Sequence, residues 1–128
     1  MNTLTTNSIT ITVENRYLHG LSAPRQNRFI FGYYITIFNG GNQTVQLMRR
    51  HWLIFDANGV IREVEGEGVV GMQPILKPGE SHQYASYCDL NTDMGKMKGK
   101  YQMLSHDEGS LFYIPVPEFR MHTPFKLN

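Results

Sequence analysis

Apolar and polar residues alternate along most of this chain. Ile9, Ile11 and Val13 alternate with threonine and glutamate, and residues 28–39 carry the strongest pattern of β-branched and aromatic side chains. Successive side chains of a β-strand point to opposite faces of a sheet, so this alternation predicts strands. No segment has apolar residues at helical spacing, and the pattern therefore predicts an all-β protein.

Turn signals separate the predicted strands. Asn and Gly occur together at residues 39–42 and 58–59, and glycine supplies the positive φ that tight hairpins need. Pro115 and Pro117 are expected to end the last strand, because proline has no backbone N–H to donate. The predicted strands are 9–17, 28–39, 43–56, 60–70, 84–90, 97–103 and 112–116. About seven to eight short strands with such turns predict an immunoglobulin-like β-sandwich.

One predicted strand changes face along its length. Its apolar residues have odd numbers first and even numbers later: Val45, Leu47, Trp52 and Ile54. A regular strand cannot bury both sets on one side, because residue parity determines the face. We therefore predict a β-bulge or bend between Met48 and His51. Such a bulge would turn Arg49 and Arg50 toward solvent.

Three residues occupy positions typical of immunoglobulin-like cores. Trp52 lies on the third predicted strand, where such folds bury a tryptophan. Tyr101 and Met103 lie on the penultimate strand, in the places of the corner tyrosine and of the core residue that follows it. Methionine in place of cysteine at this second position agrees with a core that has no disulfide.

Composition and charge limit the classes of function. The 128 residues, 41% hydrophobic and 18% charged, fit one globular domain. The net charge of +1 gives no general attraction to nucleic acid. A basic stripe at Lys96, Lys98 and Lys100 is too small for nucleic-acid binding and is expected to be a solvated face or the rim of a contact with an acidic partner.

Cysteine usage and hydropathy indicate the compartment. Cys88 is the only cysteine, which excludes an intrachain disulfide and favours a reducing environment. The first residues lack the features of a signal peptide, and no stretch is apolar enough for a membrane helix. We therefore expect a cytoplasmic protein without membrane insertion.

The segment 66–71 has the glycine spacing of a dinucleotide-binding loop. In that motif the glycines open a helix whose N-terminus binds the pyrophosphate. Pro74 and Pro78 prevent a helix here, and Glu67 would repel a phosphate. The pattern therefore favours glycines that serve bulges and close packing. A helix-free nest of backbone amides that binds a nucleotide or pyrophosphate remains an alternative.

We take the glycines of this segment and two neighbouring arginines as the candidate surface for binding an anion or a protein partner. Glycine lets a ligand or a partner backbone approach closely. The candidate residues are Gly66, Gly68, Gly71, Arg49 and Arg50.

Three glutamates, Glu63, Glu65 and Glu67, share one face of a predicted strand. Their carboxylates would suit a hard cation such as Mg²⁺, whereas Co²⁺ would need nitrogen from His51 or His82. An acidic strand edge that discourages aggregation explains the same pattern without a ligand. Direct sensing of a divalent metal is therefore a further alternative, and no metal site is assigned.

Catalytic chemistry finds no support in the residue pattern. Cys88 has no neighbouring histidine in the sequence, and the adjacent pair Ser81 and His82 does not make a triad. We expect no enzymatic activity and no cofactor.

Several segments closely resemble the ApaG family. They are FGYYITIFN at 31–39, VQL at 45–47, WLI at 52–54, EVEGEGVVG at 63–71, QP at 73–74, PGE at 78–80 and MKGKYQM at 97–103. The resemblance covers residues 9–121 and predicts one ApaG domain in residues 1–128.

The resemblance implies a fibronectin type III-like sandwich, in agreement with the strand pattern. It also implies an association with cobalt resistance and with magnesium and cobalt efflux, without the protein being a transporter. Related domains in eukaryotes are appended to other proteins, which suggests a protein-interaction module. The resemblance identifies no particular protein partner and no enzymatic activity. It leaves open whether the chain forms a homo-oligomer.

Overall fold

The computed structural model describes residues 1–126. The predicted domain, residues 1–128, includes Leu127 and Asn128, which lie outside the described residues. The described residues form nine strands: β1 (Asn2–Thr6), β2 (Ile9–Tyr17), β3 (Phe29–Asn39), β4 (Val45–Asp56), β5 (Ile61–Glu67), β6 (Ile75–Leu76), β7 (Ser81–Leu90), β8 (Met94–Ser105) and β9 (Leu111–His122). Short 3-10 helices lie at His19–Leu21, Pro24–Gln26 and Pro124–Lys126.

The strands form two antiparallel sheets. One sheet has the order β1-β2-β3-β7 and the other the order β5-β4-β8-β9, while β6 pairs with the beginning of β4. The chain crosses from the first sheet to the second between β3 and β4, returns between β6 and β7, and crosses again between β7 and β8. The two sheets pack face to face, which confirms the predicted all-β, immunoglobulin-like sandwich.

The core lies between the sheets and is built from the inward-facing side chains, every second residue, of the long strands. Trp52 is buried as predicted. Its ring centroid lies 5.7 Å from that of Tyr33 and 6.1 Å from that of Phe119, distances typical of packed aromatic pairs. The contact with Tyr33 joins the two sheets, because Trp52 and Phe119 both lie in the β5-β4-β8-β9 sheet.

Tyr101 and Met103 are buried in the core, as their positions predict. The hydroxyl of Tyr101 hydrogen-bonds to the hydroxyl of Tyr84 on the opposite sheet. A corner tyrosine bonds to nearby backbone instead, so the corner role predicted for Tyr101 is wrong.

The predicted bulge in β4 is confirmed. Pairing with β8 shifts between Leu47 and Arg49, which leaves Met48 as the extra residue, and the apolar residues on both sides of it are buried. Arg49 is exposed as predicted. Arg50 is half-buried and its guanidinium contacts the chain just after β5, so the prediction that it turns to solvent is wrong.

β9 continues through both prolines that were expected to end it, and that prediction is wrong. Pro115 lies opposite Lys100, and Pro117 lies where the pairing shifts between Met97 and Gly99 of β8. β9 is the edge strand of its sheet. Proline is tolerated on an edge strand and at a bulge, where no neighbour needs its missing N–H.

The sequence pattern does not predict β1 or β6. β1 is polar and largely exposed, and β6 has only two residues. Each forms because a neighbouring strand offers a free edge, and this cannot be read from local alternation. Among the described residues, no helix is long and apolar enough to cross a membrane.

Candidate functional site

The glycine-rich segment forms a tight turn that follows β5 and contains no helix. The backbone N–H of Val69 donates to the carbonyl of Met72 at 2.8 Å, and the N–H of Met72 returns to Val69 at 3.0 Å. Between them, Val70 has φ +48° and Gly71 has φ +76°. Two-residue hairpin turns need such positive φ values, and glycine adopts them without strain.

Val70 is the unusual residue of this turn, because a β-branched side chain rarely adopts a positive φ. The side chain is 62% exposed, and that of Met72 is 55% exposed. We call Val70 and Met72 the apolar tip. The strained backbone therefore holds two apolar side chains in solvent on a hydrogen-bonded turn. The apolar tip was not predicted from the sequence, although a valine directly before the last glycine of the segment is a visible signal.

Close packing requires glycine at residue 68, and Gly66 leaves room for the Arg50 side chain. A Cβ on Gly66 would lie 2.8 Å from Nη1 of Arg50, and a Cβ on Gly68 would overlap the carbonyl of Met72. These two glycines thus serve close packing, as the sequence predicts. Gly71 has open space around its Cα and is present for its φ alone.

Arg50 contacts Gly68 of the candidate segment through its guanidinium, and Arg49 lies opposite Glu67 in the β4–β5 ladder. Nη1 of Arg50 donates to the carbonyls of Glu67 at 3.0 Å and Gly68 at 3.1 Å. Its guanidinium thereby holds the beginning of the turn against β4. The exposed Arg49 lines a shallow depression of 220 Å³ together with Arg50 and His51.

The amides of this segment are largely engaged within the chain. Gly68 N–H donates to the carbonyl of Met48 at 2.9 Å, and Gly66 lies opposite Arg50 in the β4–β5 ladder. An anion-binding nest needs successive amides pointing into one concavity. Here carbonyl oxygens face the arginine, an arrangement that supports a structural role better than binding of a phosphate.

Folding brings a histidine to two of the three glutamates. His51 lies opposite Glu65 in the β4–β5 ladder. Its Nε2 lies 2.6 Å from Oε2 of Glu63 and 3.3 Å from Oε1 of Glu65, and the three ligand atoms lie within 4.8 Å of one another. We call these three residues the His51 cluster. One imidazole and two carboxylates form a donor set that suits Co²⁺ and leaves positions for water.

The remaining residues considered as metal ligands lie elsewhere. Glu67 is opposite Arg49, which is a cation. His82 lies on β7 in the other sheet and stacks on Tyr84, so it does not join the His51 cluster. The separation of His51 from His82 was not readable from the sequence.

Burial raises the pKa of several thiol and phenol groups that lie between the sheets. Burial raises the pKa of the Cys88 thiol to about 12. Burial likewise raises the pKa values of Tyr84 and Tyr101 above the ordinary value for tyrosine. A nucleophilic cysteine needs an accessible thiolate, so Cys88 is suited to packing.

Comparisons with known proteins agree with this architecture. The sequence model of a family described as the ApaG domain matches residues 19–105. Protein ApaG from Brucella abortus (strain S19) is 50% identical over 119 residues, 93% of this chain and 91% of that protein. Protein ApaG from Brucella anthropi shows the same identity and coverage.

A crystal structure of the ApaA protein from Bordetella pertussis superimposes with a TM-score of 0.87 and 40% identity, over 91% of this chain and 94% of that one. Sequence, strand topology and these comparisons lead to one conclusion: the chain belongs to the ApaG family.

Proposed function

We propose that the chain is a non-catalytic, cytoplasmic protein-interaction module, and that its protein partner acts in cobalt and magnesium homeostasis. The association with cation efflux comes from the family resemblance. The observation that carries the interaction role is the apolar tip, in which Val70 keeps a positive φ while its side chain is in solvent.

The backbone energetics of Val70 support a role in recognition. A left-handed conformation at a non-glycine residue costs about 1–2 kcal/mol. Glycine would remove this strain, and an exposed valine gives little burial energy in return. Strain of this kind persists at sites of binding, where the surrounding structure enforces it. The proposed contact is an apolar pocket of the partner that receives Val70 and Met72, with acidic groups near exposed Arg49.

Val70→Gly separates binding from folding. The turn keeps its hydrogen bonds and loses its strain, so we expect unchanged or higher thermal stability. We also expect the variant to lose the ability to restore cobalt tolerance to a bacterial strain that lacks this protein. Val60→Ala, at another exposed valine, is the matched control and should restore tolerance fully. Full restoration by Val70→Gly would overturn the proposed surface.

A second candidate function is direct binding of a divalent cation, and the geometry of the His51 cluster favours it. Isothermal titration of the purified protein with Co²⁺ tests this function. Binding should be lost in His51→Gln and Glu65→Gln. It should remain in Glu67→Gln, which changes the same strand face away from His51. Absence of a saturable heat with Co²⁺ and Mg²⁺ would leave protein interaction as the function.

The nucleotide or pyrophosphate alternative has less geometric support. The amide of Gly68 is already bound to Met48. Titration with ATP and with pyrophosphate should therefore give no saturable heat. Saturable binding with micromolar affinity that is lost in Arg50→Met would instead assign an anion site to this segment.

A further inference from the structure

The four edge strands of the two sheets differ in their protection against pairing. β9 contains Pro115 and Pro117, β5 contains three glutamates, and β1 has only five residues. β7 is ten residues long and contains no lysine, arginine or proline; its single formal charge is Asp89 near its end. Proline, charge and short length are the means by which proteins block edge-to-edge pairing. β7 has none of them along its centre.

The backbone of β7 presents every second residue to the open edge. Ile30 lies opposite Asp89 in the β3–β7 ladder, and its carbonyl accepts a hydrogen bond from the N–H of Leu18. The backbone N–H and C=O groups of Ile30 and Asp89 therefore point away from each other. The carbonyl of Asp89 instead accepts from Arg62 of the other sheet. In an antiparallel ladder this orientation alternates residue by residue. The residues before Asp89 with outward N–H and C=O groups are therefore Ser81, Gln83, Ala85 and Tyr87.

Within the described part of the chain, β7 pairs with β3 alone. We propose that this edge binds a second copy of the same chain. In this dimer, the two β7 strands pair antiparallel about a twofold axis at Ala85. The four-stranded sheets of the two chains then form one continuous sheet of eight strands.

The register about Ala85 is self-complementary. Ala85 faces its own copy as a hydrogen-bonded pair, and Gln83 faces Tyr87 of the second copy in both directions. No like charges meet along the paired strands, because the only formal charge of β7 lies at one end. Asp89 faces Ser81 of the second copy, a neutral residue. The small side chain at the axis lets the strands approach without a clash.

The outer face beside β7 offers a place for an aromatic side chain. A groove of 660 Å³ is lined by residues of β2, β3 and β7 that include Tyr34, Gln83 and Ala85. Tyr87 is 69% exposed on the same face. In the proposed register, Tyr87 of the second copy lies opposite Gln83, where its ring covers this groove. Cross-strand aromatic contacts of this kind stabilise a sheet.

Light scattering coupled to gel filtration tests the proposal with the full chain. The wild-type protein should show the mass of two chains, and Ala85→Pro should show the mass of one. Proline at Ala85 removes an N–H that points outward, so the ladder to β3 is retained. Ala85→Ser keeps the N–H and is the matched control that should remain dimeric. A wild-type monomer, or a dimer that survives in folded Ala85→Pro, would overturn the proposal.

Disulfide trapping checks the register without depending on the proline variant. Cys88→Ala first removes the native thiol. In a hydrogen-bonded antiparallel pair the two Cα atoms are about 5.5 Å apart, within the range that a disulfide spans. Ala85→Cys should therefore form a covalent dimer on mild oxidation. Gln83→Cys should not, because its copy would lie about 13 Å away along the strand. Equal trapping of both variants, or of neither, would contradict the register.

Discussion

Arg50 and Gly66 face each other across the β4–β5 ladder, and the guanidinium of Arg50 lies where a side chain on residue 66 would be. This contact explains why the arginine is half-buried although the sequence predicts exposure. The guanidinium reaches over the glycine to the carbonyls of Glu67 and Gly68. The bulge, the glycine and the arginine thus act together to position the turn that carries the apolar tip.

Arg50→Met should lower the free energy of unfolding by roughly 1 to 2 kcal/mol, because two hydrogen bonds from a charged donor are lost. Arg49→Met is the control one position earlier on the exposed face, and it should change stability by less than about 0.5 kcal/mol. Urea unfolding of both variants measures the difference. Equal effects would show that the carbonyl contacts of Arg50 do not stabilise the turn.

Alanine substitutions should rank the glycines of the turn. Gly71→Ala meets open space, so it should cost only about 1–2 kcal/mol for the positive φ. Gly68→Ala has the same conformational cost and also forces a Cβ into the carbonyl of Met72. Its cost should therefore reach roughly 3 kcal/mol or more. Thermal unfolding of the two variants gives the order, and a larger effect at Gly71 would contradict the described turn.

The hydroxyl pair of Tyr84 and Tyr101 should show energetic coupling. Tyr84→Phe leaves the fully buried hydroxyl of Tyr101 without its partner, which should cost about 1–3 kcal/mol. The double variant Tyr84→Phe/Tyr101→Phe removes both polar groups and should be less destabilised than the sum of the single variants. A double-mutant cycle by urea unfolding measures this coupling. Strict additivity would mean that the two hydroxyls do not depend on each other.

Stability should fall in alkaline solution, and Cys88 should contribute to that fall. Burial raises the pKa of its thiol from 9.0 to about 12, so the unfolded chain releases this proton at lower pH than the folded chain. The contribution to stability is complete below pH 9.0 and is lost as the pH rises to about 12.

Cys88→Ala should make this pH dependence shallower by up to about 1.4 kcal/mol per pH unit, while lowering stability at neutral pH through lost packing. Denaturant unfolding at a series of pH values provides the slopes. Identical slopes for the wild type and Cys88→Ala would show that the thiol titrates normally in the folded protein.

Most elements of the fold were predictable because their signals are local. Alternation identified seven of the strands, and the change of parity between Leu47 and Trp52 identified the bulge. The errors have a common cause. Pro115 ends a strand only if a neighbour needs its N–H, and Arg50 is exposed only if nothing faces it. Both conditions depend on which strand lies alongside.

The sequence by itself determined the all-β class, the family and the inward-facing residues, because parity and turn chemistry act over a few neighbouring positions. Only the tertiary structure decided that His51 meets Glu63 and Glu65, that Arg50 lies against Gly66, and that the centre of β7 is an open edge. These relationships arise from the register between strands that are distant in the chain. Register depends on how all the strands pack together, and no local pattern specifies it.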